Sequence, residues 1–310
     1  MLSFYIKRSG GEGFQRTTRP QEYTSWVHGS SVTPEDINQL VGRYSLSANI
    51  ARDVLDANEL PRVEYSHSGN LYVFVRVPRI SKRGEAYTQP LLMIAKDGRF
   101  FSLGHGDVFQ PEDIAQHEIN REVTPVQLLL LTFAAVVSEY EKLVHRTSRS
   151  IMGISGRLKN HEVTNRDFLQ FVTIEDNLNE YVTNLDGMEV LARRLHDNSR
   201  QIFSTQDTEM IDDILLHIRQ LSVSVASQRQ SVNSIREAHS TIANNNLNHR
   251  VGLLTAITVL ITIPNVFFGM YGMNVALPFA GEPWAYAIIV VFTIVLIFGV
   301  YLLARRFRMF

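Results

Sequence analysis

The run Gly269-Met270-Tyr271-Gly272-Met273-Asn274 closes a long apolar segment near the C-terminus, and the residues that could do chemistry lead up to it. Counting back from Gly272 in steps of three and four gives Gly269, Asn265, Thr262, Thr258, Thr255, Val251 and Asn248. Apart from Val251, each is polar or Gly. The other faces carry Leu253, Leu254, Ile257, Val259, Leu260, Ile261, Ile263, Val266, Phe267 and Phe268. A membrane helix turns such a stripe away from lipid, toward another helix or toward water. Thr and Gly also suit tight helix–helix contacts, and Thr can bond its own backbone. Asn265 near mid-span and the length of the stripe favour a pore, with Tyr271, Gly272, Met273 and Asn274 at its outer mouth. The donors are hydroxyl, amide and backbone oxygens, with no carboxylate, thiol or imidazole. Soft transition metals prefer imidazole or thiolate. Mg²⁺ is hard and releases its waters reluctantly, so neutral oxygens suit a hydrated ion held through its water shell. Pro264 removes a backbone donor beside Asn265, which predicts a kink and a carbonyl freed toward the lumen. Gly269 and Gly272 let backbones approach or widen the mouth.

The elements that must position this stripe are membrane spans. Val251 to Phe268 runs for 18 residues and Trp284 to Ala304 for 21 without a charge. At about 1.5 Å per residue the second covers roughly 31 Å, enough for a bilayer core, and the first is long enough once it extends to Met273. Arg250 precedes the first span, Arg305, Arg306 and Arg308 follow the second, and the loop Val275 to Pro283 has no Lys or Arg. Both termini are therefore expected in the cytoplasm, in a multi-pass protein of the plasma or inner membrane. One helix cannot enclose a pore, and with two spans per chain several copies must surround an axis, which predicts a homo-oligomer in the lipid bilayer. Upstream, Ile211, Ile214, Ile218, Leu221, Val225, Gln228, Val232, Ile235, His239, Ile242, Asn246 and His249 alternate steps of three and four. That heptad seam predicts a long helix running straight into the first span. Its polar entries Gln228, His239 and Asn246 fit either water near an axis or an ordinary polar layer.

The residues to about His105 read as a mixed α/β domain. Met1 to Lys7, Phe14 to Thr18, Trp26 to His28 and Leu71 to Val77 are strand candidates, and Leu91 to Ala95 and Phe100 to Leu103 flank the tight-turn pair Asp97-Gly98. Thr33-Pro34-Glu35-Asp36 opens a helix to about Tyr44, and Ser47 is placed to cap a second to about Ala57. Pro111 to Arg121 reads as a short helix. Val126 to Val137 is apolar, but it is too short for a span and Glu139 and Glu141 follow, so a buried helix is expected. Lys142 to Asp197, with Asn165, Asn177, Asn179 and Asn184, reads as an exposed, weakly packed helical hairpin. Its acids Glu175, Asp176 and Glu180 could attract cations, although a solvated helix face is the preferred reading. With a formal net charge of −1 and no basic run, nothing points to nucleic acid. The absence of Cys excludes disulfides, thiolate catalysis and Cys-based zinc sites. Met1 to Gly10 has no apolar core of signal-peptide length. No nucleophile–base pair, phosphate loop or metal triad indicates an enzyme.

Tyr271-Gly272-Met273-Asn274, placed at the end of the first of two C-terminal spans and followed by Arg305-Arg306 after the second, resembles the signature of the CorA family of magnesium channels. The layout is similar over the whole chain, and Trp26 to Tyr65, including Leu60-Pro61-Arg62-Val63-Glu64, is the most family-like part of the N-terminal half. The resemblance implies a funnel-shaped homopentamer with a long pore-lining helix from each subunit. It implies that a ring of Asn274 selects hydrated Mg²⁺, with Co²⁺ and Ni²⁺ often carried too, and that Asn248 is a second pore asparagine. It further implies closure by cytoplasmic Mg²⁺ bound between subunits, with Asp53 and Asp213 as the acidic pair; for Asp53 the plain alternative is one more acid on a helix surface. The Met of Gly-Met-Asn favours the magnesium branch over relatives that transport zinc. Two departures stand out. Positions that are bulky and apolar in the family correspond to Val251, Leu254 and Thr262, a more polar set. The outer loop reads Ala276-Leu277-Pro278-Phe279, with Glu282 as its only acid.

The expected layout is a cytoplasmic α/β domain over 1–122, a cytoplasmic helical part over 123–205, a stalk helix over 206–250, a pore-lining transmembrane helix over 251–273, an extracellular loop over 274–283, a second transmembrane helix over 284–304 and a basic cytoplasmic tail over 305–310. The function expected is influx of hydrated Mg²⁺ down its electrochemical gradient. The alternatives are a relative that prefers Zn²⁺ or Co²⁺, and a non-conducting, membrane-tethered sensor or scaffold, which would have no need of a polar stripe.

Overall fold

The computed structural model describes residues 2–7, 14–17, 19–21, 24–66, 69–106, 123–159, 165–273 and 281–306. The chain divides into two compact units, Met1–Asn233 and Ser234–Phe310. The short helix expected over Pro111 to Arg121, Asn274 with most of the outer loop, and the end of the basic tail lie outside the described residues.

Unit one is built on a seven-stranded sheet in the order β2-β1-β3-β7-β6-β5-β4. The strands are β1 (Leu2–Lys7), β2 (Phe14–Thr17), β3 (Trp26–Gly29), β4 (Arg62–Tyr65), β5 (Leu71–Ile80), β6 (Ala86–Lys96) and β7 (Arg99–Gly104). Only β3 and β7 pair in parallel; the other neighbours are antiparallel. Side chains alternate across a strand. Val27, Tyr72, Phe74, Leu92, Ile94, Phe101 and Leu103 share one core with Ile37 and Leu40 of α1 (Pro34–Tyr44) and Ala51 of α2 (Ala48–Arg52). The intervening Leu71, Val73, Val75, Leu91, Met93 and Phe100 are equally buried, and α3 (Pro125–Lys159) packs on β5, β6 and β7. Coverage of both faces is why β5 and β6 read as nearly continuous apolar runs rather than as alternation.

Local chemistry sets the boundaries. Thr33 and Asp36 form a reciprocal capping box, with the Thr33 Oγ1 accepting from the Asp36 N–H at 3.2 Å and the Thr33 N–H donating to Asp36 Oδ2 at 3.1 Å. Asp97 and Gly98 take φ of 46° and 73°, the left-handed pair that a two-residue hairpin requires. Thr124 and Gln127 cap α3 in the same reciprocal way. Leu128, Leu129, Leu130, Phe133, Val136 and Val137 of α3 are buried, as expected for a core helix and not a span.

Two expectations are corrected. The helix starting at Ser47 does not reach Ala57: α2 ends at Arg52 and a 3₁₀ turn covers Asp53–Leu55. The Ser47 side chain makes no cap bond, while its N–H donates to Tyr72 Oη at 2.9 Å. The chain then turns extended at Asp56, whose carboxylate accepts from the Asn58 N–H at 2.8 Å, a local turn that competes with helix. The second correction concerns α4 (Asn165–His196), which is a core helix and not an exposed hairpin arm. Phe171, Ile174, Leu178, Tyr181, Leu185, Met188, Ala192 and Leu195 are all buried. Asn177 is buried too: its Nδ2 donates to Gly84 O at 2.9 Å and its Oδ1 accepts from Ala86 N at 2.6 Å, pinning the β5–β6 turn. Glu180 accepts from Thr88 at 2.8 Å and from Asn184 at 2.9 Å, so its carboxylate serves packing.

The long helix α5 (Thr205–Tyr271) carries the unit boundary within it, and α6 (Ala285–Arg306) follows in unit two. In unit one Ile211, Ile214, Ile218, Leu221, Val225, Gln228 and Val232 of its seam are buried. Gln228 Nε2 donates to Val144 O of α3 at 3.3 Å, so this entry of the seam is a buried polar layer and does not face water. Further along, His239 and Ile242 are half-buried and Asn246 and His249 are exposed.

Candidate functional site

In unit two the helical pattern places Asn248, Val251, Thr255, Thr258, Thr262, Asn265 and Gly269 on α5, with Gly272 in the turn just after it, and every one of them is exposed. The three threonines share one arrangement. Thr255 Oγ1 donates to Val251 O at 2.9 Å, Thr258 Oγ1 to Leu254 O at 2.8 Å, and Thr262 Oγ1 to Thr258 O at 2.8 Å. Each hydroxyl proton is thereby spent on the backbone, and what each oxygen presents outward is lone pairs. Pro264 lies inside the continuous helix and has no N–H to give the Leu260 carbonyl. Gly272 tightens the last turn, donating to Phe268 O at 3.0 Å and to Gly269 O at 3.2 Å. A Cβ there would stand 3.3 Å from Phe268 O, so the turn favours glycine on steric grounds. Tyr271 ends the helix, Met273 follows it exposed, and Glu282 is exposed just before α6.

The remaining faces of this segment are apolar and unburied. Leu254 is 66% exposed, and only 6% of the apolar window of α5 is buried, the opposite of the apolar stretch of α3. Among the described residues α5 is the one helix long and apolar enough to cross a membrane; α6 adds the shorter apolar stretch Tyr286–Leu302. Within the unit the two helices meet through Phe267 and Phe292, whose rings lie edge to face with centroids 5.4 Å apart.

The carboxylates expected to sense ions lie in unit one. Asp213 is exposed on α5, and no hydrogen bond or ion pair engages it among the described residues. Its neighbour Asp212 pairs with His196 at 3.1 Å. Asp53 sits in the 3₁₀ turn after α2 and is held by Arg62, 2.6 Å from Nη2. Arg62 also pairs with Glu59 and Glu64, and its guanidinium stacks 4.3 Å from the Phe74 ring centroid. Sequence reading did not give Arg62 a role; the signal was a single cation among Asp53, Glu59 and Glu64. Asp53 and Asp213 therefore sit in different local settings, one already paired and one free. Elsewhere the Arg193 and Arg219 guanidiniums hold the Glu189 carboxyl below its ordinary range, linking α4 to α5. Burial, reinforced by Glu180, pushes the Tyr140 phenol well above its ordinary value; its hydroxyl donates to Arg76 O at 3.1 Å. Among the described residues no group of three or more His, Cys, Asp or Glu is arranged to hold a metal ion.

The chain thus combines an α/β domain, a long helix with an exposed polar stripe and a C-terminal apolar helix. Residues 21–306 match the family described as CorA-like Mg²⁺ transporter protein, and the chain belongs to that family. It is 25% identical over 126 residues to the cobalt/magnesium transport protein CorA of Methanocaldococcus jannaschii, a match that spans 40% of this chain and 38% of that relative's length. The solved structure of the CorA magnesium transporter from Methanocaldococcus jannaschii is similar with a TM-score of 0.86 at 17% identity, covering 99% of this chain and 98% of that one. The full-length CmaX protein is similar with a TM-score of 0.72 at 19% identity, covering 99% and 97%.

Proposed function

We propose that this protein is a homopentameric channel of the cell membrane that admits hydrated Mg²⁺ down its electrochemical gradient, with the stripe from Asn248 on α5 to Gly272 just past its end lining the pore. Family membership supports transport of a divalent cation. The observation that carries the reading further is the state of the stripe hydroxyls. A hydrated dication presents water protons outward, and Thr255, Thr258 and Thr262 present acceptors because their own protons go to the helix backbone. No charge in the stripe would strip the water shell or trap the ion. The driving force is the membrane potential, about 2.3 kcal/mol per charge per 100 mV, doubled for a dication. In this reading the five Asn274 amides form the entry filter above Tyr271, Gly272 and Met273, and a ring of Glu282 concentrates cations outside. Val251 and Leu254 form the narrow inner part, with Asn265 and Gly269 above it.

Closure follows from cytoplasmic Mg²⁺ held between Asp53 of one subunit and Asp213 of the next. Both are hard oxygen donors, as Mg²⁺ requires, and the free Asp213 is open to a ligand. A second reading, transport of Co²⁺, draws on the cobalt/magnesium name of the curated relative. The test is Asn274→Ala in proteoliposomes. Selective Mg²⁺ uptake is expected to disappear while the pentamer still assembles, and undiminished uptake would remove Asn274 from the filter. Running Co²⁺ and Ni²⁺ beside Mg²⁺ in the same vesicles ranks the carried ions.

A further inference from the structure

Asp53 is joined to Glu59 by successive backbone turns: the Asp56 N–H donates to Asp53 O at 3.0 Å, and the Glu59 N–H to Asp56 O at 3.1 Å. The end of this loop is strapped to the sheet by Arg76 of β5. Arg76 Nη1 donates to Glu59 O at 2.7 Å, while its Nε and Nη2 donate to Thr88 Oγ1 and Thr88 O of β6 at 2.6 and 2.9 Å. Thr88 in turn donates to Glu180 at 2.8 Å, so the strap runs on to α4. Glu59 is thereby held where its carboxylate pairs with Arg62 and accepts from the Leu60 N–H at 3.1 Å. Arg62 is fixed from its own side, by the β4–β5 register opposite Phe74 and by stacking on that ring. Its forked donors serve three carboxylates at once. The carboxylates differ in access: the Glu59 side chain is 13% exposed and the Asp53 side chain 44%. Asp53 is the partner open to exchange, and Glu59 is the one that stays.

We infer that Glu59, positioned by Arg76, sets the Mg²⁺ concentration at which the channel closes by holding Arg62 when Asp53 gives it up, a role that rests on the reading of Asp53 as a sensor carboxylate. A guanidinium with a single carboxylate partner loses its whole counter-charge when that partner turns to a divalent cation, a costly separation in a half-buried setting. With Glu59 and Glu64 in place, Arg62 stays neutralised and Asp53 is released readily. With Glu59 gone, Arg62 draws harder on Asp53. Glu59 and Arg76 are positioning residues and not ligands of the ion.

The experiment is calorimetric titration of the full-length protein in detergent micelles with Mg²⁺, following the binding component that Asp53→Asn and Asp213→Asn both abolish. The half-closing Mg²⁺ concentration in vesicle uptake is the second readout. Glu59→Gln should weaken this binding severalfold. Arg76→Met should weaken it too, although removing a positive charge would by itself strengthen cation binding. In an Arg62→Met background Glu59→Gln should have no further effect, because its action passes through Arg62. Loss of negative charge alone would weaken binding equally in both backgrounds. Thermal melts without Mg²⁺ identify the variants that keep the fold, and Glu59→Gln carries the test should Arg76→Met not fold. Unchanged Mg²⁺ binding by Glu59→Gln, or equal weakening with and without Arg62, would overturn the role of Glu59 while leaving Asp53 a sensor. Binding and closure that survive Asp53→Asn would remove the sensor reading, and the role of Glu59 with it.

Discussion

Arg62 draws Asp53, Glu59 and Glu64 onto one guanidinium and seats that guanidinium on the Phe74 ring. It is a tethered cation beside the carboxylate proposed to bind a mobile one. Replacing it isolates both effects. Arg62→Met keeps much of the apolar stem but leaves three carboxylates without their shared partner, which should cost roughly 1–3 kcal/mol in a thermal or denaturant melt. The same change frees Asp53 and should move Mg²⁺-dependent closure to lower concentration in a vesicle uptake assay. An inhibition curve that stays in place would separate Asp53 from the sensor. At the same scale the Thr stripe was readable as a row of polar residues, but not the direction of its protons. That direction depends on the helical backbone bringing each i−4 carbonyl within reach, which spacing permits and coordinates specify.

Helix α4 is tied to the sheet through Glu180, which accepts from Thr88, and through Asn177, which holds the β5–β6 turn. Asn177→Ala removes one donor and one acceptor bond and leaves the half-buried Gly84 carbonyl and Ala86 N–H unmatched. A loss of about 1–3 kcal/mol in unfolding free energy is expected. A second link, Glu189 to Arg193 and Arg219, should respond to acid. Its folded pKa lies below the ordinary 4.5, so its contribution is present above that value and is lost as pH falls through the depressed one. Both guanidiniums are exposed, so solvent screening holds the effect to about 0.5 kcal/mol or less, and Arg219→Gln, which leaves Arg193 in place, should reduce it in the pH dependence of melting. Elements with strong local chemistry were legible in the residues: Thr33-Pro34-x-Asp36, Asp97-Gly98 and the apolar start of α3. The burial of α4 was less so. Its asparagines suggest an exposed surface, whereas Asn177 and Asn184 act as buried hydrogen-bonding groups. The signal was the three-and-four spacing from Phe171 to Leu195, the same pattern that identified α5. The early end of α2 turned on the Asp56–Asn58 bond, a competition between turn and helix that the residue types leave balanced.

At the scale of the molecule, the two units divide the proposed work: one carries the sheet, Asp53 and Asp213, and the other the stripe and the apolar faces. The order of the parts was legible because a 67-residue helix with an apolar heptad seam and then an apolar end carrying a polar stripe leaves few alternatives. The setting of each acid was not, since Arg62 reaches Asp53 only through the fold. The central claim, a channel for hydrated Mg²⁺ driven by the membrane potential, is tested most directly by Mg²⁺ influx into liposomes holding the purified protein under an imposed inside-negative potential, without a proton gradient. The expected result is uptake that rises with the potential, needs no protons and is abolished by Asn274→Ala. Mg²⁺ uptake that is absent, or that appears only when a proton gradient is supplied, would contradict it.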